Sequence, residues 1–373
     1  MPDPILLYPA PVQALAEEFA RLLPMRYLAG PGVLTELAAR WSERQRHWHG
    51  PTHARAMLSG AASIGEDEDN DALRLAAAYH DAVYDPRASA NEAASAALLL
   101  RHAANPAAPA VRRAVALIEE STWQRTPPDQ LGQMFFALDA HQLSDGCPLS
   151  ERLEYERAIF REYQWVPWPV YRQKRAEFLR GWAARFPAQR RGVGECLELL
   201  AALRPRVAVY PGSFQPFHLG HLSVLRRAEQ AFDKVIVALG VNRQKLAPSD
   251  SLENRRQALA CQLPFHETAA FGGLLSEFLD GLGQPVTVVR GVRDGTDLES
   301  ELRFVRFVNE LRPDTNVVWI SCEPHLQHLS SSAMRELAAI QPGAEARYLP
   351  DAARIYDLTE GTLPAALAVT DAA

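Results

Sequence analysis

The amino-acid sequence predicts a multi-domain chain, in which an all-α domain is followed by an α/β domain with a doubly wound parallel sheet. The chain has 373 residues, of which 47% are hydrophobic, so it is long enough to bury two cores. From about residue 10 to 186, apolar residues recur three and four positions apart, as they do on amphipathic helices. After residue 205, short β-branched runs alternate with helical stretches, which is typical of buried parallel strands joined by crossover helices.

These patterns place the helical domain at residues 1–186, a linker at 187–205 and the α/β domain at 206–360. In the first domain, "DALRLAAAYHDAVYD" and "NEAASAALLLRHAA" have the apolar spacing of helices. In the second domain, four runs have strand character, and these are "RVAVY", "KVIVALG", "PVTVVRG" and "NVVWIS".

Charge and cysteine content exclude several classes of partner. The formal net charge of -6 argues against nucleic-acid binding, which requires a concentrated basic face, but it leaves a small anionic ligand possible. The four cysteines are widely spaced without a CxxC pair, so neither a zinc knuckle nor a disulfide framework is predicted. The sequence has no basic leader and no apolar run long enough to cross a bilayer, so we expect a cytoplasmic protein without a membrane partner.

The first strand of the α/β domain leads directly into a candidate phosphate site. We expect a strand at 207–210, a loop at 211–217 and a helix at 219–232. His218 and His221 are three residues apart and therefore share a face at the start of this helix. Free backbone N–H groups and the positive end of the helix dipole favour an anion there, at the edge of the sheet where α/β proteins bind ligands. The pattern therefore predicts a cradle for the phosphates of ATP.

The sequence His218-Leu-Gly-His221, which follows a "PGSF" loop, resembles the HxGH signature of the nucleotidyltransferase superfamily. The stretches "SLENRRQAL", "VVRGVRDGTDLESELRF" and "LSSSAMREL" follow it in the order and spacing of bacterial phosphopantetheine adenylyltransferases, over roughly residues 206–350. That family transfers AMP from ATP to 4'-phosphopantetheine and releases dephospho-coenzyme A and pyrophosphate. The resemblance implies a Rossmann-like fold, ATP with Mg²⁺, 4'-phosphopantetheine as the acceptor and a homo-oligomer.

The resemblance also implies roles for individual residues. The positions that match the family's catalytic residues are His218, His221, Lys245 and Arg290. The positions that match its ATP-binding residues are Ser213, Phe214, His221, Arg293, Asp297, Glu301, Ser330, Ser331 and Ser332. The positions that match its acceptor-binding residues are Ser213, Lys245, Leu274, Arg290 and Glu336. Cations and hydrogen-bond donors suit this reaction, because attack of one phosphate on another brings anions together.

The identity of the acceptor remains open. Taken alone, "FQPFHLGH" resembles the archaeal type of nicotinamide mononucleotide adenylyltransferase. An adenylyltransferase for that acceptor, or for another one, is therefore the alternative to a phosphopantetheine adenylyltransferase.

The helical domain has histidines and aspartates in the order H, HD, D, namely His53, His80 with Asp81, and Asp139. Imidazole and carboxylate ligands in this set suit a divalent transition metal. The surrounding stretches "RHWHGPTH", "HDAVYDPRASANEAASA" and "YERAIFREYQWVPWPVYRQKRAEFL" resemble HD-superfamily predicted metal-dependent phosphohydrolases over roughly residues 20–186. We expect His49 to lie one helical turn from His53 as a donor to substrate.

The resemblance implies that the domain hydrolyses a phosphoester with the help of this metal. The alternative is a non-catalytic module that senses a nucleotide or a coenzyme A precursor and regulates the transferase domain.

Overall fold

The computed structural model describes residues 12–65, 67–240 and 251–359. The chain forms two compact units. The helical unit comprises the described parts of Leu7–Glu162 and Trp168–Leu203, with residues 356–359. The α/β unit comprises Tyr163–Pro167 and the described parts of Arg204–Ile355.

The helical unit contains α-helices and short 3-10 turns, which confirms the prediction of a helical amino-terminal region. Its helices are α1 (Val12–Leu22), α2 (Gly32–Trp41), α3 (Pro51–Ala62), α4 (Glu68–Tyr79), α5 (Asn91–His102), α6 (Pro109–Glu120), α7 (Gln130–Asp139), α8 (Leu149–Glu162), α9 (Trp168–Arg185) and α10 (Arg190–Ala202). Residues 187–205, which we expect as a linker, contain a 3-10 turn and α10. In the part of the chain that the structure describes, no helix has both the length and the apolarity needed to cross a membrane.

The core of the helical unit is built around α4. Residues 75–79 of this helix are fully buried, and α4 packs against α3 and α6. The indole N–H of Trp41 donates a hydrogen bond to the Ala78 carbonyl at 2.8 Å, so this buried indole nitrogen is paired.

Local capping sets where the helices of this core begin and end. Asp67 caps the start of α4 and Asp129 caps the start of α7, each by accepting a hydrogen bond from the backbone N–H three residues later. Pro51 occupies the first turn of α3, where its missing N–H costs nothing. Because α4 ends at Tyr79 and α7 at Asp139, the predicted metal ligands lie at helix ends, where the backbone is free to turn.

The α/β unit has a five-stranded sheet in the order β3-β2-β1-β4-β5, and every pairing is parallel, which confirms the predicted parallel sheet. Its strands are β1 (Val207–Gly212), β2 (Lys234–Gly240), β3 (Thr268–Phe271), β4 (Thr287–Val292) and β5 (Asn316–Ser321). Its helices are α11 (Leu219–Ala231), α12 (Leu252–Gln262), α13 (Leu275–Gly281), α14 (Gly295–Leu311), α15 (Ser331–Ile340) and α16 (Ala352–Tyr356). The sequence did not predict β3, because its four residues "TAAF" contain no β-branched run.

The strand order places a crevice at the carboxyl ends of β1 and β4. The chain runs outward from β1 to β3 on one side and then returns to place β4 on the other side of β1. The connections that follow β1 and β4 therefore diverge, and α/β proteins bind ligands between such connections. Below this edge, Val209, Ile236 and Val288 occupy neighbouring strands and form part of the buried core.

The first residue of β2 makes a buried ionic contact that we expect to stabilise the α/β unit. The side chain of Lys234 is fully buried, and burial lowers the pKa of its ammonium group. The ammonium donates hydrogen bonds to the carbonyls of Gln164 and Val166 and lies 2.7 Å from the Glu267 carboxylate. All three acceptors would lose this donor if the charge were removed.

We predict that Lys234→Met lowers the free energy of unfolding by about 2 kcal/mol, because it leaves Glu267 and two carbonyls without their donor. Urea denaturation of the full chain measures this loss. Lys174→Met is the control, because Lys174 is 70% exposed. Equal stability of the two variants would contradict the prediction.

Candidate functional site

Backbone hydrogen bonds hold the two histidines at the start of α11. His218 is the N-cap of this helix, and its Nδ1 accepts a hydrogen bond from the Gly220 N–H at 3.1 Å. The His218 N–H donates in turn to Nδ1 of His221 at 3.2 Å. Because a backbone N–H can only donate, both Nδ1 atoms are acceptors. In the neutral rings, the proton is therefore on Nε2, and each ring can donate from that atom.

Burial keeps both imidazoles neutral. The two rings stack with their centroids 3.8 Å apart. Desolvation, and after it the positive charge of Arg293, lowers the pKa of His218 to about 4. Desolvation, His218 and Arg293 together lower the pKa of His221 well below its ordinary value. Nε2 of His218 is buried without a hydrogen-bond partner among the described residues, so its N–H can donate a hydrogen bond to a bound ligand.

The loop between β1 and α11 packs tightly beneath His221. Phe214 has a φ of 40°, in the left-handed region that a bulky residue rarely adopts. Its ring contacts the His221 ring edge-on, with the centroids 5.1 Å apart. A Cβ at Gly212 would lie 2.7 Å from the Phe214 ring, so this position requires glycine. Strain of this kind persists only where the surrounding structure enforces it.

Two arginines at the end of β4 are held by carboxylates of α14. Arg290 donates to both carboxylate oxygens of Glu301, at 2.5 and 2.7 Å, and to the Pro211 carbonyl at 3.0 Å. Arg293 donates to both carboxylate oxygens of Asp297, at 2.6 and 2.8 Å. The hydrogen bond from Arg293 lowers the pKa of Asp297. The carboxylates therefore fix the direction of both guanidinium groups.

The start of α15 is tied to the loop after β1. Ser330 caps α15, with its Oγ accepting a hydrogen bond from the Ala333 N–H at 3.0 Å. The Ser331 hydroxyl donates to the Pro216 carbonyl at 3.1 Å. This contact brings the helix start, with its unpaired N–H groups, close to the histidines.

Most of the predicted residues line one hollow. These residues are Ser213, His218, His221, Arg293, Asp297, Glu301, Ser330, Ser331 and Ser332. Phe214, Arg290, Leu274 and Glu336 are not among the lining residues. Arg290 is hydrogen-bonded to Glu301, which lines the hollow. Leu274 is half exposed at the start of α13, and Glu336 is exposed on α15. Lys245 lies outside the described residues.

Sequence reasoning missed several residues of this site. Tyr210, Gly291 and Cys322 also line the hollow. Arg255, within the quoted stretch "SLENRRQAL", donates to the Ser213 carbonyl at 2.8 Å. Its position on a charged helix surface gave no signal of this contact.

In the helical unit, four side chains converge into what we call the histidine–aspartate cluster, formed by His53, His80, Asp81 and Asp139. One ligand atom from each lies within 4.8 Å of the others. Nε2 of His80 lies 3.2 Å from Nε2 of His53, 3.0 Å from Oδ2 of Asp81 and 3.3 Å from Oδ1 of Asp139. The end of α4 at Tyr79 explains how the adjacent His80 and Asp81 face the same way, which a regular helix would prevent.

Hydrogen bonds behind the cluster orient its donor atoms. Nδ1 of His80 lies 3.1 Å from the Ala77 carbonyl, which can only accept, so in the neutral ring, the form that binds a metal, Nε2 presents its lone pair to the cluster. The Trp123 indole donates to Oδ2 of Asp139 at 2.7 Å and leaves Oδ1 facing the histidines. Trp123, which sequence reasoning did not assign to the site, has a φ of 48°. Burial alone would raise the pKa of Asp81 and of Asp139, but the positive charge that the neighbouring histidines, above all His80, carry when protonated more than offsets this, so both pKa values are lowered.

The prediction for His49 was wrong in one respect. Helix α3 begins at Pro51, so His49 lies in the preceding loop and not one helical turn before His53. Gly50, the N-cap of α3, has an extended backbone and separates the loop from the helix.

We predict that His218 titrates far below an ordinary histidine. The folded pKa of about 4 lies below the reference value of 6.5, so the unfolded chain binds this proton more tightly. This contribution to stability is complete above pH 6.5 and is lost as the pH falls toward 4. NMR of the ring carbons, with the signal assigned by its loss in His218→Gln, measures the midpoint. A midpoint at or above 6.5 would contradict the burial of this ring.

Comparison with known proteins identifies the α/β unit. Residues 209–337 match the cytidylyltransferase-like family. The phosphopantetheine adenylyltransferase of Rhodopirellula baltica is 33% identical over 149 residues, which span 39% of this chain and 82% of the relative. The proteins of the same name from Acidovorax sp. (strain JS42) and Rubrobacter xylanophilus are 34% and 35% identical, and the matches span 38% and 42% of this chain and 92% and 99% of theirs.

Among solved structures, the lipopolysaccharide core biosynthesis protein from Thermoplasma volcanium GSS1 matches 32% of this chain and 99% of its own. The two chains are 20% identical, and the TM-score is 0.26. The sequence relatives, in contrast, are matched over most of their length and confirm the resemblance predicted for the carboxyl-terminal half. Through its α/β unit, the chain belongs to the phosphopantetheine adenylyltransferase family of nucleotidyltransferases.

Proposed function

We propose that the α/β unit transfers AMP from ATP to 4'-phosphopantetheine and releases dephospho-coenzyme A and pyrophosphate. The observation that carries this proposal is the hollow at the carboxyl edge of the sheet. There, two neutral imidazoles, Arg293 and the start of α15 surround one space. The printed names of the relatives supply the acceptor.

In the proposed reaction, a phosphate oxygen of the acceptor forms a bond to the α-phosphorus of ATP. The bond from that phosphorus to the pyrophosphate oxygen breaks, and pyrophosphate leaves. His221 donates from Nε2 to an α-phosphate oxygen, where negative charge grows in the transition state. A neutral ring suits this role because it donates a hydrogen bond without having to lose its proton.

The arginines and the start of α15 neutralise the remaining phosphate charge. The N–H groups at the start of α15 and the guanidinium of Arg293 face the same hollow and suit the β- and γ-phosphates. Arg290, held in place by Glu301 and Pro211, is the proposed contact of the acceptor phosphate. Lys245 is proposed to bridge the two phosphates, as the family resemblance implies.

Mg²⁺ is proposed to enter with ATP as part of the substrate. The hollow has two acidic residues among the described ones, Asp297 and Glu301, and each is bound to an arginine through both carboxylate oxygens. This donor set does not fit a resident Mg²⁺, which requires free carboxylate oxygens.

We predict that pyrophosphate is released from ATP in the presence of 4'-phosphopantetheine and not of nicotinamide mononucleotide. His221→Ala should lower turnover about 100-fold or more, because it removes one transition-state donor. His325→Ala is the matched control, because His325 is exposed and does not line the hollow. Faster release with nicotinamide mononucleotide would identify the other acceptor, and normal turnover of His221→Ala would refute its role.

We propose that the helical unit is an HD-type metal-dependent phosphohydrolase, with a divalent transition metal held by the histidine–aspartate cluster. The donor set fits such a metal, since two imidazole nitrogens and two carboxylate oxygens converge and two of these groups are oriented from behind. When bound, the metal would polarise a phosphate oxygen and lower the pKa of a water molecule. The protein holds the four donor atoms close together in the absence of the metal.

We predict that the full chain binds one Mn²⁺ with high affinity, measured by calorimetry, and hydrolyses at least one of a panel of phosphoesters. Asp139→Asn should weaken Mn²⁺ binding about 100-fold, because even changes behind a ligand cost about 10- to 100-fold. His328→Ala, an exposed histidine outside the cluster, is the control. Tight nucleotide binding without turnover would favour the regulatory module, and equal Mn²⁺ affinity of Asp139→Asn and the control would refute the site.

A further inference from the structure

A buried carboxylate at the end of α8 has no part in the proposed metal site. Glu162 is 1% exposed, and its Oε1 accepts hydrogen bonds from the backbone N–H groups of His47, Trp48 and His49 at 2.7 to 2.8 Å. Its Oε2 lies 2.7 Å from Nδ1 of His49 and accepts a hydrogen bond from the Tyr84 hydroxyl at 2.9 Å. One carboxylate therefore holds both the loop at 47–49 and the ring of His49.

A buried cation holds the same loop from another direction. Arg46 donates from Nη1 to the carbonyls of His49, at 3.1 Å, and Asp81, at 2.6 Å. Its Nη2 donates to the Ala82 carbonyl at 3.1 Å. The loop that carries His49 is therefore tied to the turn that carries a cluster residue, Asp81. Burying two charged side chains is costly, and both are used to fix the position of this loop.

The hydrogen bond to Glu162 determines which atom of His49 faces the cluster. A carboxylate only accepts hydrogen bonds, so Nδ1 of His49 carries the proton that is shared with Glu162. Nε2, on the far side of the ring, lies 4.0 Å from Oδ2 of Asp81. His49 does not belong to the four residues whose ligand atoms converge, and its side chain is 21% exposed. It therefore lies beside the cluster, where a molecule bound there can reach it.

We propose that Glu162 is a positioning residue and that His49 is the group it positions. Nε2 of His49, which carries the lone pair when the proton is on Nδ1, accepts a hydrogen bond from the P–OH group of a protonated phosphate monoester, or of hydrogen phosphate, held at the histidine–aspartate cluster. This inference rests on the proposed metal site and adds a substrate contact to it. His49 is not a metal ligand in this arrangement.

Glu162→Gln separates the two tasks of Glu162. The amide oxygen can still accept from the three backbone N–H groups, whereas the amide NH₂ replaces Oε2 and donates to Nδ1 of His49 instead of accepting from it. The loop is kept, but the ring takes the other tautomer, in which Nε2 carries the proton and can no longer accept a hydrogen bond. His49→Ala removes the contact itself. Tyr84→Phe is the matched control, because it removes the other hydrogen bond to Oε2 and leaves His49 unchanged.

Calorimetry on the full chain tests the proposal in two steps, first with Mn²⁺ and then with inorganic phosphate added to the Mn²⁺-loaded protein. Asp139→Asn serves as the blank, because its metal site is weakened. Any heat of phosphate binding that remains in this variant is assigned to the hollow of the α/β unit and is subtracted. We expect His49→Ala and Glu162→Gln to weaken the remaining phosphate affinity about tenfold or more, a typical cost of losing such a contact. Their Mn²⁺ affinity should stay within about threefold of the wild type. Tyr84→Phe should match the wild type in both steps.

Each other outcome overturns the proposal. Unchanged phosphate affinity in His49→Ala would show that this side chain does not contact the ligand. Loss in His49→Ala with normal affinity in Glu162→Gln would show that the ring needs no positioning. Loss of Mn²⁺ binding in His49→Ala would make the residue a ligand. If the wild type binds no Mn²⁺, the proposed metal site fails and this inference fails with it, whereas the first three outcomes leave that site standing.

Discussion

The geometry of the hollow in the α/β unit depends on one small set of backbone hydrogen bonds at the start of α11. The N–H groups of His218 and Gly220 each donate to a ring nitrogen and thereby set the tautomer of both histidines. If either ring turned over, its Nδ1 would no longer accept the backbone hydrogen bond that sets its tautomer. Burial then keeps the rings neutral, because a charged imidazole beside Arg293 and away from water would be costly. The conformation and the tautomer of both rings thus follow from the same backbone geometry, and burial sets their protonation.

Opposite charges orient side chains in both units. Arg290 and Arg293 each bind a carboxylate through two hydrogen bonds, which leaves them directed and partly neutralised before any ligand arrives. In the helical unit, Glu162 has the same effect on His49. Such pairs lower the entropy that must be lost on binding, because the side chains are already ordered.

Helix ends carry most of the residues with a proposed role. His218 precedes α11, Ser330 precedes α15, and Asp139 is the last residue of α7. A regular helix directs adjacent side chains to different faces, so His80 and Asp81 meet the same cluster only because α4 ends before them. Helix ends also leave backbone groups unpaired, and these groups can hold a side chain or an anion.

The sequence by itself determined the two classes of domain, four of the five strands and the order of the motifs. It could do so because hydrophobic periodicity and β-branched runs are local properties. It could not identify the short strand β3, which lacks such a run, or the loop position of His49, which depends on where α3 begins. Only the tertiary structure decided the partners: Glu162 meets His49 across 113 positions of the chain. Contacts of this kind depend on how distant helices pack, and no local pattern encodes that packing.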